Sequence, residues 1–200
     1  LGPRLNAAGR LDDARKSYEL LTCRDPIQAA ALAQELDQTN RERQRQTQQA
    51  LELARQQVLD NGLDSPLLVA AHADFPQGIV GLVAGRLTEE FYRPSVVIEL
   101  GDEECRGSAR SIEEFDITGA LDLCADLLVR YGGHAAAAGF TAAKDKLSTV
   151  VERLHAIARE QLRGQELIPS LNIDVEAPLQ VANWDTLHQV ESWEPFGIGN

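Results

Sequence analysis

Apolar positions in this 200-residue chain follow two different periods. Between Asp25-Pro26 and Leu59 nothing breaks a helix. Asp25 is a good N-cap and Pro26 suits the first helical position, while Asp60-Asn61-Gly62 ends the run. Its first third, with Ile27, Ala29, Leu32, Ala33 and Leu36, is apolar at helical spacing, and so is its last third, with Leu51, Ala54 and Val58. The middle, Asn40–Gln49, has no apolar residue. The pattern predicts one helix of about 34 residues, about 50 Å long at 1.5 Å per residue. Packed at both ends and solvent-exposed in the middle, it would bridge two domains. A break near Asn40 giving two helices is the other arrangement the pattern allows.

Residues 66–165 alternate between short apolar runs and helical faces. Leu67–Ala71, Ser95–Leu100, Cys105–Ser111 and Ala137–Thr141 read as strands. Ile79–Phe91, Asp116–Arg130 and Leu147–Leu162 read as helices. The fold class is α/β, with a mixed, partly parallel sheet flanked by helices and preceded by the long interdomain helix. Before that helix, Leu1–Leu11 is punctuated by glycine and proline and reads as a small-residue turn, followed by a short helix over Ala14–Leu21. After Gln165, Pro169–Glu176 alternates like a half-exposed strand and Asn183–Val190 reads as a short helix. The domains expected are residues 1–24 as the end of a preceding region, 25–62 as the connecting helix, 63–165 as the α/β domain and 166–200 as the start of a further, truncated one. The chain has no methionine, opens Leu1-Gly2-Pro3-Arg4 and ends on turn chemistry. That predicts an internal piece of a longer protein, against a processed or tagged small one.

Charge narrows the ligand chemistry. The net charge of −12 argues against a general nucleic-acid binder. Residues 1–60 are neutral, with nine acids and nine bases, so residues 61–200 carry the whole excess. Sixteen of the 19 bases are arginine, the side chain suited to bidentate phosphate recognition. An anionic ligand must therefore be held by a few placed arginines. The three cysteines are scattered without metal spacing, and no apolar run suits a membrane span, so a cytoplasmic location is expected.

Three stretches carry candidate chemistry. Asn6 and Arg10 bracket a small-residue turn where an amide and a guanidinium could grip a phosphate, or simply be solvated. Gly107-Ser108-Ala109-Arg110-Ser111 puts Ser108 and Arg110 on one face of a strand, where a phosphate could accept from both; a solvated edge strand has the same pattern. Gly132-Gly133-His134 reads as a permissive turn carrying a titratable ring, followed by four alanines and Gly139-Phe140. A tight turn with a structural histidine is the alternative. His72 and Asp74 lack a third partner for a metal site.

Together these blocks resemble the RecJ family, single-strand-specific exonucleases of the DHH phosphoesterase superfamily. The blocks are Leu5–Leu11, Leu36–Gln44, Gly78–Leu87 with Tyr92-Arg93-Pro94, Gly107–Ser111, and Gly132-Gly133-His134 through Phe140. The terminal Pro195–Asn200 resembles the family's lead-in to an OB-fold. The resemblance implies that residues 63–165 are a DHH-associated substrate-binding domain and that 166–200 open an OB-fold-like domain. It implies 5′→3′ exonuclease function in DNA repair and recombination, with single-stranded DNA as partner and an upstream DHH catalytic domain in the same chain. It places nucleic-acid or phosphate contacts at Asn6, Arg10, Ser108, Arg110, Gly132, Gly133 and His134. The family's catalytic metal ions, manganese or magnesium, are held by aspartates and histidines of that DHH domain. No Asp-His-His occurs here, so no catalytic residue, metal ligand or cofactor is expected in this piece. Other classes are the substrate-binding domain of an oligonucleotide or cyclic-dinucleotide phosphodiesterase, and a non-enzymatic α/β binding module.

Overall fold

The computed structural model describes residues 1–11, 13–171, 173 and 175–197. Leu1–Leu167 form one compact unit and Ile168–Asn200 a second. The first begins with α1 (Gly2–Leu11), α2 (Arg15–Thr22) and the long α3 (Pro26–Asp60). Five strands follow: β1 (Leu68–His72), β2 (Ser95–Leu100), β3 (Glu104–Arg110), β4 (Leu128–His134) and β5 (Ala137–Ala143). Helices α4 (Val80–Phe91), α5 (Ile117–Asp122) and α6 (Leu147–Gln161) complete it.

Helix α3 is continuous. The Asp25 carboxylate accepts from the Ile27 amide at 2.9 Å, with Pro26 at the first helical position. The middle holds its helix without apolar residues because its side chains pair along the surface, as Arg45 does with Glu42 and Arg41 with Asp37. Each such pair is worth about 0.2–0.5 kcal/mol. The expectation of a solvent-exposed middle needs correction. Asn40 is only 5% exposed, and Glu42, Arg43, Gln46 and Thr47 are half-buried. Two neighbours do this. Leu1–Leu11 is not a turn but α1, whose buried Ala7 and Ala8 belong to a helix packed on α3, and Arg4 bonds Asp37 at 2.6 Å. On another side α4 packs against α3. Pro3 sits in the first turn of α1, where proline is tolerated, so the punctuation read as a break marks a helix start.

The sheet order is β1-β2-β3-β5-β4, with β1 parallel to β2 and the other pairings antiparallel. One face is covered by α5 and α6, burying Val96, Ile98, Cys105, Phe140 and Ala142 with Val150 and Leu154. The other face is covered over β1 and β2 by α4 and the last third of α3, burying Leu68, Ala70 and Val97 with Val58, Val83 and Leu87. The layer is apolar there and turns polar at β3. The β1 edge is closed by Gln57: its amide nitrogen donates to the Ala71 carbonyl at 3.2 Å and its oxygen accepts from the Ala71 N–H at 3.0 Å.

The predicted helix Asp116–Arg130 is also corrected. Only Ile117–Asp122 is α-helical; a 3₁₀ turn at Ala125–Leu127 leads straight into β4. Ile117, Leu121, Cys124 and Leu128 keep helical spacing by coincidence, across two elements. Gly132-Gly133-His134 is therefore part of an edge strand, not a turn. The turn is Ala135-Ala136, whose carbonyls accept from the Ile117 and Ser111 amides.

In the second unit, α7 (Trp184–Glu191) starts at Asn183, whose side-chain oxygen accepts from the Thr186 amide at 3.0 Å. The strand expected over Pro169–Glu176 does not form among the described residues; Asn172 and Asp174 lie outside them, as do Ile198, Gly199 and Asn200 of the expected lead-in.

The core sets the outcome of two substitutions. A Cβ on Gly107 would collide with the ring of Phe140, which is buried. Gly107→Ala should cost about 1–3 kcal/mol by overpacking, read as a lowered urea midpoint. His155, whose Nδ1 lies 2.9 Å from the Ser65 hydroxyl, has its pKa lowered from 6.5 by burial and then by Arg159. A depressed folded pKa means the neutral ring stabilises the fold above pH 6.5, and that contribution fades as pH falls below it. Between about pH 7.5 and 5.5 the urea midpoint should fall further for the native chain than for His155→Gln.

Candidate nucleic-acid interface

Alternation along β3 sends Cys105, Gly107 and Ala109 into the core, leaving Arg106, Ser108 and Arg110 on the α4 face. Register extends that face across the sheet. Arg106, Thr141 and Arg130 form one row, Ser108, Gly139 and Gly132 the next, and Arg110, Ala137 and His134 the third. The central row carries almost no side chain and is flanked by arginines, so the backbone itself is the floor.

Two close approaches wall this floor. A Cβ on Gly81 of α4 would stand 2.9 Å from Arg110 Nη2 and 3.0 Å from Ser108 Oγ, so the bare Gly81 lets α4 lie against the pair without displacing either side chain. A Cβ on Gly78 would overlap the Arg10 carbonyl oxygen, so the end of α1 abuts the segment leading into α4. Arg10 Nη1 donates to the Gly78 carbonyl at 3.4 Å. Between these walls and the sheet is a cleft of about 400 Å³.

Four arginines line it, Arg10, Arg106, Arg110 and Arg130, and no carboxylate does. None of the four is in an ion pair among the described residues. Arg110 Nη1 donates to the Ala109 carbonyl at 2.7 Å and the Ser108 hydroxyl at 3.3 Å. Arg106 donates to Gln77 Oε1 at 2.7 Å, while its Nε is buried without a partner. Arg130 Nε donates to Thr141 Oγ1 at 3.1 Å. Glu99, the cross-strand neighbour of Arg106 on β2, makes no ion pair with it. Burial, and then the Arg10 guanidinium, lower the pKa of Arg110 from its ordinary value. A desolvated cation beside another cation is unfavourable, and an anion in the cleft would relieve both penalties.

Of the residues singled out by sequence, Arg10, Ser108 and Arg110 line the cleft. Gly132 sits in the central row beside Gly139, with open space where a Cβ would be. Gly133 approaches Ala137 and Ala138 too closely for any Cβ. His134 shares a row with Arg110 but is two strands away, exposed and outside the lining; its carbonyl accepts from Thr118 Oγ1 at 2.9 Å. Asn6 is exposed one turn before Arg10 and does not line the cleft. Sequence reasoning missed Arg106 and Arg130. Arg106 was legible as the third member of the alternation with Ser108 and Arg110; Arg130 was hidden by the helix assigned across it.

The residues do not fit a divalent metal. Among the described residues no three His, Cys, Asp or Glu side chains come together, and His72 Nδ1 stands 3.7 Å from Asp74 without a third partner. A cleft of arginines would repel a hard cation that needs oxygen ligands.

Residues 64–160 match the DHHA1 domain family. That defines the class: a DHHA1 domain with a long helix before its sheet. The chain is 36% identical over 202 residues to the single-stranded-DNA-specific exonuclease RecJ of Bacillus subtilis (strain 168), covering all of this chain and 26% of that protein. It is 39% identical to RecJ of Dickeya dadantii (strain 3937) over 84% of this chain and 31% of that one. The crystal structure of RecJ in complex with Mn²⁺ from Thermus thermophilus superposes with a TM-score of 0.85 at 30% identity, over 99% of this chain and 29% of that one. The chain belongs to the RecJ family, and it spans under a third of the length of these relatives.

The cleft predicts an outcome for Gly81→Ala. The atoms its Cβ would meet are ends of side chains, which can move, and alanine favours a helix by about 1 kcal/mol over glycine. Thermal unfolding should occur at the same or a slightly higher temperature. Binding of a 5′-phosphorylated single strand, read by fluorescence anisotropy, should weaken because Arg110 and Ser108 are pushed apart.

Proposed function

We propose that this chain is the strand-holding part of a 5′→3′ single-stranded-DNA exonuclease of RecJ type. The observation that carries the reading is the arginine cleft. Four guanidiniums that make no ion pair among the described residues line one cleft, with no carboxylate in its lining, in a chain of net charge −12. In this reading Arg110 and Ser108 grip the phosphate at the strand's 5′ end, Arg10 closes over it from α1, and Arg106 and Arg130 supply flanking charge. Gly132 and Gly139 let the sugar-phosphate lie against bare backbone. In this reading single-strand specificity follows from a cleft that takes one strand and not a duplex. Gly133 keeps β4 close to β5, and His134 and Asn6, outside the cleft lining, meet the strand beyond it. Residues 63–165 are then the DHH-associated substrate-binding domain, 25–62 the connection to an upstream DHH catalytic domain, 1–24 the end of that region, and 166–200 the start of an OB-fold-like domain. Manganese or magnesium, with the water it activates, belongs to the DHH domain; this chain's residues position the strand and do not cleave it. A role in DNA repair and recombination in the cytoplasm goes with this reading.

Arg110→Ala tests it. Hydrogen bonds to a charged group are worth about 1.5–3 kcal/mol each, so affinity for a short 5′-phosphorylated oligonucleotide should fall by about one to two decades. The loss should shrink as salt rises. Lys144→Ala and Lys146→Ala, outside the cleft, are the controls, and anisotropy is the readout. Equal losses for Arg110→Ala and the lysine variants would mean non-specific attraction only and would end the site assignment.

A further inference from the structure

Among the described residues, neutral acceptors alone orient the four arginines of the cleft. Arg106 donates to Gln77 Oε1, Arg10 to the Gly78 carbonyl, Arg110 to the Ser108 hydroxyl and the Ala109 carbonyl, and Arg130 to Thr141 Oγ1. Arg106 also has a carboxylate set against it. Register places it directly opposite Glu99 of β2, on the same face of the sheet. Side chains at such a position start about 4.5–5.5 Å apart at Cβ, and opposite charges there attract. Both residues are half-buried, and each holds a buried atom without a hydrogen-bond partner, Arg106 Nε and Glu99 Oε2. They nevertheless make no ion pair among the described residues. His72, the neighbour of Glu99 on β1, has its Nδ1 occupied by the Asp74 amide at 3.0 Å. What holds Arg106 is Gln77, an exposed residue of the segment leading into α4. It accepts from Arg106 Nη1 at 2.7 Å and lines the cleft itself.

We propose that Gln77 is a positioning residue for strand binding: it holds the Arg106 guanidinium toward the cleft and out of the grasp of Glu99. This rests on the reading of the arginine cleft as a strand-holding site and adds the device that keeps one of its cations available. A carboxylate in the place of Gln77 would orient the guanidinium and cancel its charge. An amide orients it and leaves the charge for a phosphate. Without the amide, the guanidinium turns to Glu99, where each group supplies the partner the other lacks. The cleft then loses a cation before a strand arrives, and the strand must break an ion pair to recover it. Gln77 thus acts on the strand through Arg106, and Glu99 is the competitor it holds off.

Calorimetric titration of 5′-phosphorylated tetrathymidylate into the 200-residue chain and its variants tests this, with the urea midpoint of each variant checking that it folds. Arg106→Ala is expected to weaken binding about tenfold, the loss of a hydrogen bond to a charged group. Gln77→Ala, at an exposed position, is expected to weaken it about fivefold, the strength of a good cross-strand ion pair. Adding Glu99→Gln removes the competing charge. It should raise the affinity of Gln77→Ala by at least about threefold more than it raises that of the native chain, the coupling a double-mutant cycle isolates. A residue that merely shaped the loop would show no such recovery. Gln77→Glu should also weaken binding, and Glu99→Gln should not restore it, because the new carboxylate neutralises Arg106 where it stands. If Gln77→Ala binds as the native chain does while Arg106→Ala and Arg110→Ala bind less well, the positioning role is overturned and the arginine cleft stands. If Gln77→Ala weakens binding and Glu99→Gln recovers no more than it gains in the native chain, Glu99 is not the competitor and the inference is likewise overturned. If neither Arg106→Ala nor Arg110→Ala changes binding, the cleft reading itself fails and takes the positioning role with it.

Discussion

Arg110 sits between a strand and a helix and has no ion pair among the described residues. Burial and the neighbouring Arg10 both act against its charge, and the protein answers with two neutral acceptors, the Ser108 hydroxyl and the Ala109 carbonyl. Such an arrangement persists only where the surrounding fold holds it and something external gains from it. The sheet face under α4 is apolar over β1 and β2, where it makes core, and changes character at β3, where it makes a site. One continuous layer thus serves both stability and recognition, divided by the strand that carries Arg106, Ser108 and Arg110.

Absent side chains make room for that charge. Gly81 lets α4 approach Arg110, Gly78 lets α1 abut the entry to α4, Gly107 leaves space for the Phe140 ring on the core side, and Gly133 lets β4 lie close to β5. These glycines do different work from the one in the turn at Gly62, where a φ of 81° calls for glycine on conformational grounds. In the site the demand is steric. A ligand reading bare backbone at Gly132 and Gly139 meets peptide dipoles, while the arginine rows on either side set the sign of what can enter.

Helix α3 joins this site to the rest of the chain. Its last third is buried with α4 and the sheet, and its earlier part meets α1, which carries Arg10 to the cleft. A single rigid element therefore fixes the distance between the α1 wall and the sheet floor. That gives a physical reason for its length and for the surface pairing that keeps its polar middle helical.

The class of the fold, the long helix with its Asp25-Pro26 start, four of the five strands of the sheet and the pairing of Ser108 with Arg110 on one face were determined by the sequence alone. Those features depend on local periodicity and capping, which near neighbours decide. The family was also legible, because its blocks occur in order along the chain. The strand carrying Gly132 and Gly133 was not legible: helical spacing ran on through Leu128, and only pairing with β5 and the ties from Ser111 and Ile117 to the Ala135-Ala136 turn make it a sheet edge. The helix at Leu1–Leu11 was hidden in the same way, since glycine and proline lower its own propensity and its packing on α3 supplies what they withhold. The gathering of Arg10, Arg106, Arg110 and Arg130 was decided by tertiary structure alone. Those residues lie up to 120 positions apart in the chain, and no local period relates charges that strand register and helix approach bring together.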